Sequence, residues 1–383
     1  MIAMLDWHVP WGGLVTGWLA IYFVIMTVLI SGMLRLRKSV RAEGSRAGAV
    51  TVLVTARNEV RDLPRCIASL LALDYSRDLL QIILVDDLSD DGTGELIDAA
   101  AAAHPHIVAL HSADLPANGL EAKARGLAHG FDRATGDWVL ITDADAAMHP
   151  QWVRHLLGRV EARTGVIGGA LVVEAEGVVG IIERVCWAFV QAFNLGMAGW
   201  GVPFVVLGPN MAVRRSVYER AGGLRAAKFR VAEDLALFGL VIGQGYLAQN
   251  YLDAETAVTL RPVPSARHLL SQQRRWLGGG LAHGAVYTIF LSLSFWWGFG
   301  VALFVLAGWL LSPSLWLGFV VAKTIVEGIV FFIERRRMAL GAHLRYLLVL
   351  EVYHAFVFFV LPLSFLFSRR VRWMGDGYSV TYS

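Results

Sequence analysis

Apolar positions are unevenly spread along this chain. They crowd the first 34 residues and everything after Leu281, while the stretch between alternates short apolar runs with polar turns. Leu14 to Leu34 is an almost purely apolar run of 21 residues, long enough to cross a bilayer. Arg35, Arg37, Lys38 and Arg41 follow it directly. Basic residues gather on the cytoplasmic side, so the pattern predicts an anchor with its N-terminus outside and residue 35 onward inside. Charges placed after the apolar run rather than before it argue against a cleaved signal peptide. The tail predicts about three further spans on the ~20-residue rule, near 287–310, 315–333 and 344–367. Three spans would leave Arg369, Arg370 and Arg372 outside, against the charge rule, and the 344–367 segment, with Glu351, His354 and Pro362, is the one suspected of being re-entrant or interfacial.

The middle alternates strand and helix patterns. Ala49–Thr55, Gln81–Val85, Ile107–Leu110, Trp138–Ile141 and Val166–Val173 read as buried strands, with a further strand-like run over Val205–Val213. Leu63–Leu73, Glu95–Ala103, Leu120–Phe131, Gln151–Glu161 and Leu235–Gly243 carry helical spacing. Strands separated by crossover helices predict an α/β fold with a mostly parallel sheet. Val178–Trp200 is apolar but contains Glu183, Arg184, Gln191 and Asn194, which suggests an amphipathic helix lying on the membrane. The expected organisation is therefore an anchor with a basic flank over 1–41, a cytoplasmic catalytic domain over 42–280, and a membrane region of about three spans with a short tail over 281–383.

Composition sharpens this picture. The 383 residues are 56% hydrophobic with 13 Trp, high for a soluble domain and consistent with a membrane enzyme. The net charge of +3 comes from Arg clusters beside apolar spans and excludes a nucleic-acid-sized basic patch. Cys66 and Cys186 offer neither a disulfide framework nor a metal-ligand spacing.

The chemistry concentrates where strands end. The run Trp138–Ile141 stops at Thr142-Asp143-Ala144-Asp145, and two carboxylates spaced i, i+2 on an extended chain share one side. Open α/β sheets bind ligands at the C-terminal ends of their strands. Paired hard oxygen donors suit Mg²⁺ or Mn²⁺, which can hold a diphosphate. A second strand ends at Asp86-Asp87. Glu233-Asp234 opens a predicted helix, where acids also favour the helix N-terminus on electrostatic grounds alone. Gln272-Gln273-Arg274-Arg275-Trp276 precedes the apolar tail and would serve equally as an interfacial anchor.

Taken together, Ala56-Arg57-Asn58-Glu59, Asp86-Asp87, Gly136-Asp137 through Asp143-Ala144-Asp145, Glu233-Asp234 and Gln272-x-x-Arg275-Trp276 resemble, in order and rough spacing, the family-2 glycosyltransferases. The final motif is similar to that of the membrane-embedded branch, which includes cellulose, chitin and hyaluronan synthases, ceramide glucosyltransferases and bacterial lipid and carotenoid glycosyltransferases. The resemblance spans residues ~49–280. It implies a GT-A (nucleotide-diphospho-sugar transferase) fold and an inverting, metal-dependent hexosyl transfer using Mg²⁺ or Mn²⁺. It implies that Ala56 and Glu59 sit beside the base and ribose, that Asp86 or Asp87 contacts uracil, and that Lys123 lies near the nucleotide. Asp143 would lie near the nucleotide sugar, Asp145 would ligate the metal, and Asp234 would be the general base. Gln272, Arg275 and Trp276 would cap the diphosphate and line the acceptor path. The chain departs from the family pattern at Gly208-Pro209-Asn210, at the leading Thr55-Ala56, and at Arg372-Trp373-Met374-Gly375, which bears on the acceptor more than on the chemistry.

The function this implies is transfer of a hexose or N-acetylhexosamine from a cytosolic UDP-sugar to a hydroxyl of a membrane lipid, by a multi-pass protein of a bacterial inner membrane. The alternatives are a processive polysaccharide synthase, disfavoured by the small number of spans, and a non-enzymatic transporter or scaffold, disfavoured by the presence of Asp143, Asp145 and Asp234. His283, His343 and His354, with Glu327 and Glu351, are ionisable groups in the apolar tail with no assigned role.

Overall fold

The computed structural model describes residues 11–39, 41, 48–202, 205–227, 233–281, 298–338, 346–361, 370–373 and 376–379. Residues 282–297, with His283, and 339–345, with His343, lie outside them.

The first ten of the twelve strands among the described residues are β1 (Val50–Ala56), β2 (Leu80–Asp86), β3 (Ile107–His111), β4 (Trp138–Asp143), β5 (Ala146–Met148), β6 (Thr164–Gly168), β7 (Leu171–Val173), β8 (Met211–Arg214), β9 (Leu247–Asn250) and β10 (Val258–Leu260). Seven form one sheet in the order β3-β2-β1-β4-β8-β6-β9. β1, β2, β3 and β4 pair in parallel, β6 pairs in parallel with β9, and β8 runs antiparallel to both its neighbours. A smaller sheet, β5-β10-β7, stands beside it. This is the expected α/β arrangement with a mostly parallel sheet.

The all-buried sequence Val-Thr-Val-Leu-Val-Thr-Ala of β1 has a direct cause: both faces of the sheet are covered. Val52, Val54 and Ile82 pack with Leu63, Cys66 and Leu70 of helix Leu63–Leu71 and with Ile97 of helix Thr93–Ala103. Leu53, Ile83, Val139 and Ile141 pack on the other face with Leu127 and Phe131 of helix Ala122–Arg133 and with Leu237 and Val241 of helix Glu233–Gly243.

Several boundaries differ from the sequence reading. The apolar run 166–173 is not one strand but two, β6 and β7, in different sheets. The break falls at Gly168-Gly169, where a Cβ on Gly169 would lie 2.5 Å from Nδ2 of Asn210. That amide is buried and donates to Ala170 O and Thr256 O, bracing the two sheets. The helix expected over 151–161 is helical only over Trp152–Leu156. Beyond it the chain turns back into β6, closed by a Thr164 N–H bond to Glu161 O. The Asp143 and Asp145 carboxylates do not share an extended strand either. β4 ends at Asp143, and Ala144-Asp145 turn directly into β5.

Among the described residues, three helices are long and apolar enough to cross a membrane: Thr16–Arg35, Gly177–Gly199 and Pro313–Met338. In the second, Glu183, Gln191 and Asn194 are buried within the protein, not turned to a headgroup layer. The Gln191 amide holds both backbone groups of Leu171, which is why a polar residue suits an otherwise apolar helix there. Glu327 and Glu351 are likewise buried or half-buried in protein. Lys323 bridges them, and Tyr22 donates to Glu327 at 2.7 Å, joining three helices through one ion-pair network. Arg337 donates to Met33 O and Leu36 O, satisfying carbonyls at the end of the N-terminal helix.

In the tail, helix Gly298–Leu310 turns sharply into Pro313–Met338, and a short helix Leu347–Ala355 continues as a π-helical turn, Phe356–Val360. Strand Arg370–Trp373 then packs against helix Ala266–Leu281.

The helices Thr16–Arg35 and Gly177–Gly199 cross at glycines. A Cβ on Gly32 would meet Gly196 O at 1.8 Å, and one on Gly199 would meet Gly32 O at 1.9 Å. Only hydrogen side chains permit backbones that close. Gly196→Val is therefore expected to destabilise the protein by about 1–3 kcal/mol. The readout is a lowered Tm in detergent, with Gly17→Val, at a position open on all sides, leaving it unchanged.

Candidate active site

Strand register places the chemistry. Ala56 of β1 lies opposite Asp86 of β2, and Thr55 lies opposite Asp143 of β4, so three motif-bearing strands end level at one edge of the sheet. The loops beyond them are laced together. Asn58 N–H donates to Ser89 Oγ, Asp90 N–H to Asn58 Oδ1, and Glu59 N–H to Thr93 Oγ1. Among the described residues, three non-glycine residues adopt positive φ, and all three are here: Asn58 at 58°, Leu88 at 66° and Ala122 at 48°. Backbone strain of this kind concentrates where a fold must present particular groups.

Helix Ala122–Arg133 reaches this edge because its glycines let it lie on β1. A Cβ on Gly126 would approach Thr55 Cγ2 to 2.4 Å, and one on Gly130 would approach Leu53 Cδ1 to 2.1 Å. Its first turn delivers two cations. Arg125 grips Asp87 in a fork, with Nε to Oδ1 at 2.8 Å and Nη2 to Oδ2 at 3.0 Å. Asp87 is fully buried, so both its oxygens are committed to that pair. Asp86 accepts the Ser89 N–H and faces His111. Lys123 is buried with its ammonium 2.5 Å from Asp143 Oδ1 and 3.1 Å from Glu233 Oε1. Burial alone would pull this ammonium down, but the two carboxylates outweigh it and hold the group well above its usual value.

Around this pair the acids crowd. Burial pushes Glu59 up to about 8, with the charges of Asp145 and Asp143 adding to the shift. Burial pushes Asp145 up to about 7, with Asp143 and Asp62 adding to it. Asp234 is held at about 6, by burial first and by Glu233 second. The Asp234 carboxylate accepts the N–H of Leu235 at 2.8 Å and that of Gly208 at 3.2 Å. A Cβ on Gly208 would lie 3.3 Å from Asp234 Cβ, so the unusual Gly208-Pro209-Asn210 turn is the wall behind this aspartate.

The helix Ala266–Leu281 closes the site. Burial lowers the Arg275 guanidinium, while Glu233, Asp143 and Asp234 raise it, so these carboxylates are its electrostatic neighbours. Gln272 and Trp276 share that helix, and their contacts are with helix Gly177–Gly199. Ala56 is buried and contributes backbone only, accepting the Asp87 N–H at 2.8 Å. The fold thus gathers Glu59, Asp143, Asp145, Lys123, Asp234 and Arg275 at one locus, with Asp86 and Asp87 on the adjoining strand end. Sequence reading missed Arg125, whose only signal is its place two residues after Lys123. It also missed His111 beside Asp86, and the ion pair that ties Glu233 to Lys123.

The donor set bears on a metal. Asp145, Asp143, Asp62 and Glu59 act on one another electrostatically, and Lys123 is the cation on Asp143. Raised carboxylates of this kind are those a hard divalent cation relieves, and all-oxygen donors fit Mg²⁺ or Mn²⁺. A cavity of about 430 Å³ lined by Asp137, Trp138, Glu161, Arg214 and Arg215 lies at the other end of β1 and β4, away from these acids.

A model of glycosyl transferase family group 2 matches residues 138–374, and one of glycosyl transferase family 2 matches residues 51–222. The probable glycosyltransferase YdaM of Bacillus subtilis is 29% identical over 253 residues, 64% of this chain but 57% of that protein. The chain thus spans little more than half that relative's length. An undecaprenyl-phosphate mannosyltransferase of Micrococcus luteus is 30% identical over 250 residues, covering 63% of this chain and 92% of that protein. Among solved structures, the mannosyltransferase PcManGT of Pyrobaculum calidifontis, in complex with GDP-mannose and Mn²⁺, superposes with a TM-score of 0.58. It is 19% identical over 88% of this chain and 97% of that one, a likeness of fold.

Because Asp87 is wholly buried and paired with Arg125, removing the guanidinium strands a buried charge. Arg125→Met is expected to destabilise the protein by on the order of 3 kcal/mol. Denaturant titration should also show Asp87→Asn combined with Arg125→Met recovering part of that loss.

Proposed function

The chain belongs to glycosyl transferase family group 2, and from that premise we propose that it moves a hexosyl or N-acetylhexosaminyl group from a UDP-sugar to a membrane lipid, with inversion and with a divalent cation. The observation that carries this reading is the convergence of Asp143, Asp145, Asp234 and Arg275 on one locus, in a chain whose described residues include three apolar helices of membrane-spanning length. The lipid acceptor is supported by the three apolar helices and by similarity to an undecaprenyl-phosphate mannosyltransferase. The catalytic domain then lies on the cytoplasmic side, where the basic flank Arg35 to Arg41 belongs.

In this mechanism Asp234 accepts the proton of the acceptor hydroxyl as its oxygen attacks the anomeric carbon from the face opposite the leaving group. The bond from that carbon to the diphosphate breaks, and Arg275 meets the charge that develops on the departing oxygen. Asp145, with Asp143 beside it, would hold Mg²⁺ or Mn²⁺, which supplies further positive charge to the diphosphate. Lys123 keeps Asp143 and Glu233 fixed while this happens. The strand ends, with Glu59 and Asp86, receive the nucleoside, while Asp87 is held by Arg125 behind them. Gln272 and Trp276 flank the acceptor.

The test uses membranes carrying the wild type or Asp234→Asn. These are supplied with radiolabelled UDP-glucose, UDP-galactose, UDP-N-acetylglucosamine or GDP-mannose, with Mg²⁺ or Mn²⁺. Label should enter the organic phase and fall at least ~100-fold in the variant, as expected for loss of a general base. Label in a water-soluble polymer would indicate a processive synthase instead, and label from GDP-mannose alone would replace the UDP-sugar donor.

A pH profile checks the base separately. Asp234 works only as the carboxylate, and its value of about 6 places the loss of that form on the acid side. At saturating metal, kcat/KM should be flat above pH ~7 and fall about tenfold per unit below pH ~5. An acid limb displaced to pH ~4, the range of an unperturbed Asp, would remove Asp234 from this role.

A further inference from the structure

Helix Gly177–Gly199 carries Glu183, 2% exposed, whose two oxygens are both engaged by the segment that holds the Gln-x-x-Arg-Trp motif. Val263 N–H donates to Oε2 at 2.7 Å, and the Gln272 amide donates to Oε1 at 3.0 Å. One turn further on, Gln273 donates to Cys186 Sγ at 3.1 Å, and Trp187 meets Trp276 edge-to-face at 4.6 Å. Positions 183, 186 and 187 lie on one helix face, and each takes a different residue of the motif helix. Gly180 belongs to the same face. A Cβ there would lie 3.1 Å from Pro262 Cβ, so a larger side chain would push the 262–263 segment away.

We propose that Glu183 is a positioning residue for glycosyl transfer: by fixing Val263 N–H and the Gln272 amide it sets the seat of helix Ala266–Leu281, and through it the placement of Arg275 and Trp276. This rests on the transferase reading above. Glu183 reaches no strand-end acid. Its action runs through Gln272 and the backbone before the motif helix. A buried carboxylate that accepts two N–H groups holds them more firmly than neutral acceptors would. A catalytic arginine displaced by about 1 Å can lose ~100-fold in rate.

Three variants separate positioning from mere stability. Glu183→Ala should lower kcat/KM by about 30- to 100-fold while leaving the Kd for UMP, which lacks the β-phosphate that Arg275 meets, within about twofold, because the nucleoside is held at the strand ends. Hydrogen exchange at the Val263 amide should quicken at least ~10-fold, with faster exchange along 266–277. Glu183→Gln, whose carbonyl can still accept the Val263 N–H, should recover most of that protection and part of the rate. Gln191→Ala, on the same helix but tied to β7, should lower Tm without changing kcat/KM. Wild-type transfer rates in Glu183→Ala would overturn the proposal. So would loss of UMP binding together with transfer, or a Gln191→Ala variant as impaired as Glu183→Ala. Absence of transfer by the wild type with any donor would count against the transferase reading alone. Exchange along 266–277 would then decide the matter for Glu183, and unchanged exchange in Glu183→Ala would end the proposal.

Discussion

A single buried ammonium holds the site together. Lys123 lies between Asp143, which ends β4, and Glu233, which opens a helix ninety residues later. Without it, Asp143, Asp145, Glu59, Glu233 and Asp234 would face one another with Arg275 as their main counter-charge, and like charges at such range oppose assembly. The position of Lys123 depends in turn on close packing. Gly126 and Gly130 let its helix lie on β1, and Ala122 adopts positive φ at the helix start. The sheet, the helix and the electrostatics are thus one arrangement. β1 must be buried on both faces to bring its end level with β2 and β4, and a helix packed that closely can place a cation above the strand ends.

The same crowding gives the site its working chemistry. Acids raised by burial and by one another stand ready to exchange protons or to take a cation near neutral pH. Asp234 differs from the others in its surroundings. Two backbone N–H groups hold it, and the Gly208 turn backs it with no side chain in the way. A departure from the usual motif therefore leaves the carboxylate oriented, and the absence of a Cβ at position 208 is what the geometry needs.

Much of this was legible in the sequence because the informative signals are local. Apolar runs of strand length that stop at acids, such as Gln81–Val85 and Trp138–Ile141, reveal both the parallel sheet and the edge at which its acids gather. The apolar N-terminal helix was legible from the length of its run. What was not legible depends on tertiary pairing. Nothing in Thr164–Val173 says that the chain changes sheets at Gly168-Gly169, since that break answers to Asn210, some forty residues away. Asp143 and Asp145 looked like neighbours on a strand, but β4 ends at Asp143 and the next two residues turn. Glu183, Gln191 and Asn194 suggested a helix facing headgroups because polarity alone does not say whether water or protein meets it. The structure meets it with protein. Lys323 drew no attention among apolar neighbours, yet it is the partner that makes Glu327 and Glu351 tolerable inside a helix bundle.

Helix Gly177–Gly199 is where the two halves of the molecule join. Its glycine face lies on the N-terminal helix, its Gln191 secures β7 at the edge of the smaller sheet, and its Glu183 face seats the helix that carries Arg275. Tyr353, from the C-terminal helices, completes the set by accepting the Cys186 thiol and facing Gln273. This element packs on both the apolar helices and the smaller sheet, and its Glu183 face is the part that bears on the seat of Arg275. That arrangement has a physical advantage for an enzyme working at a bilayer. The acceptor would enter from the apolar side and the donor from the aqueous side, and a helix bonded to both fixes the distance between them without a flexible hinge.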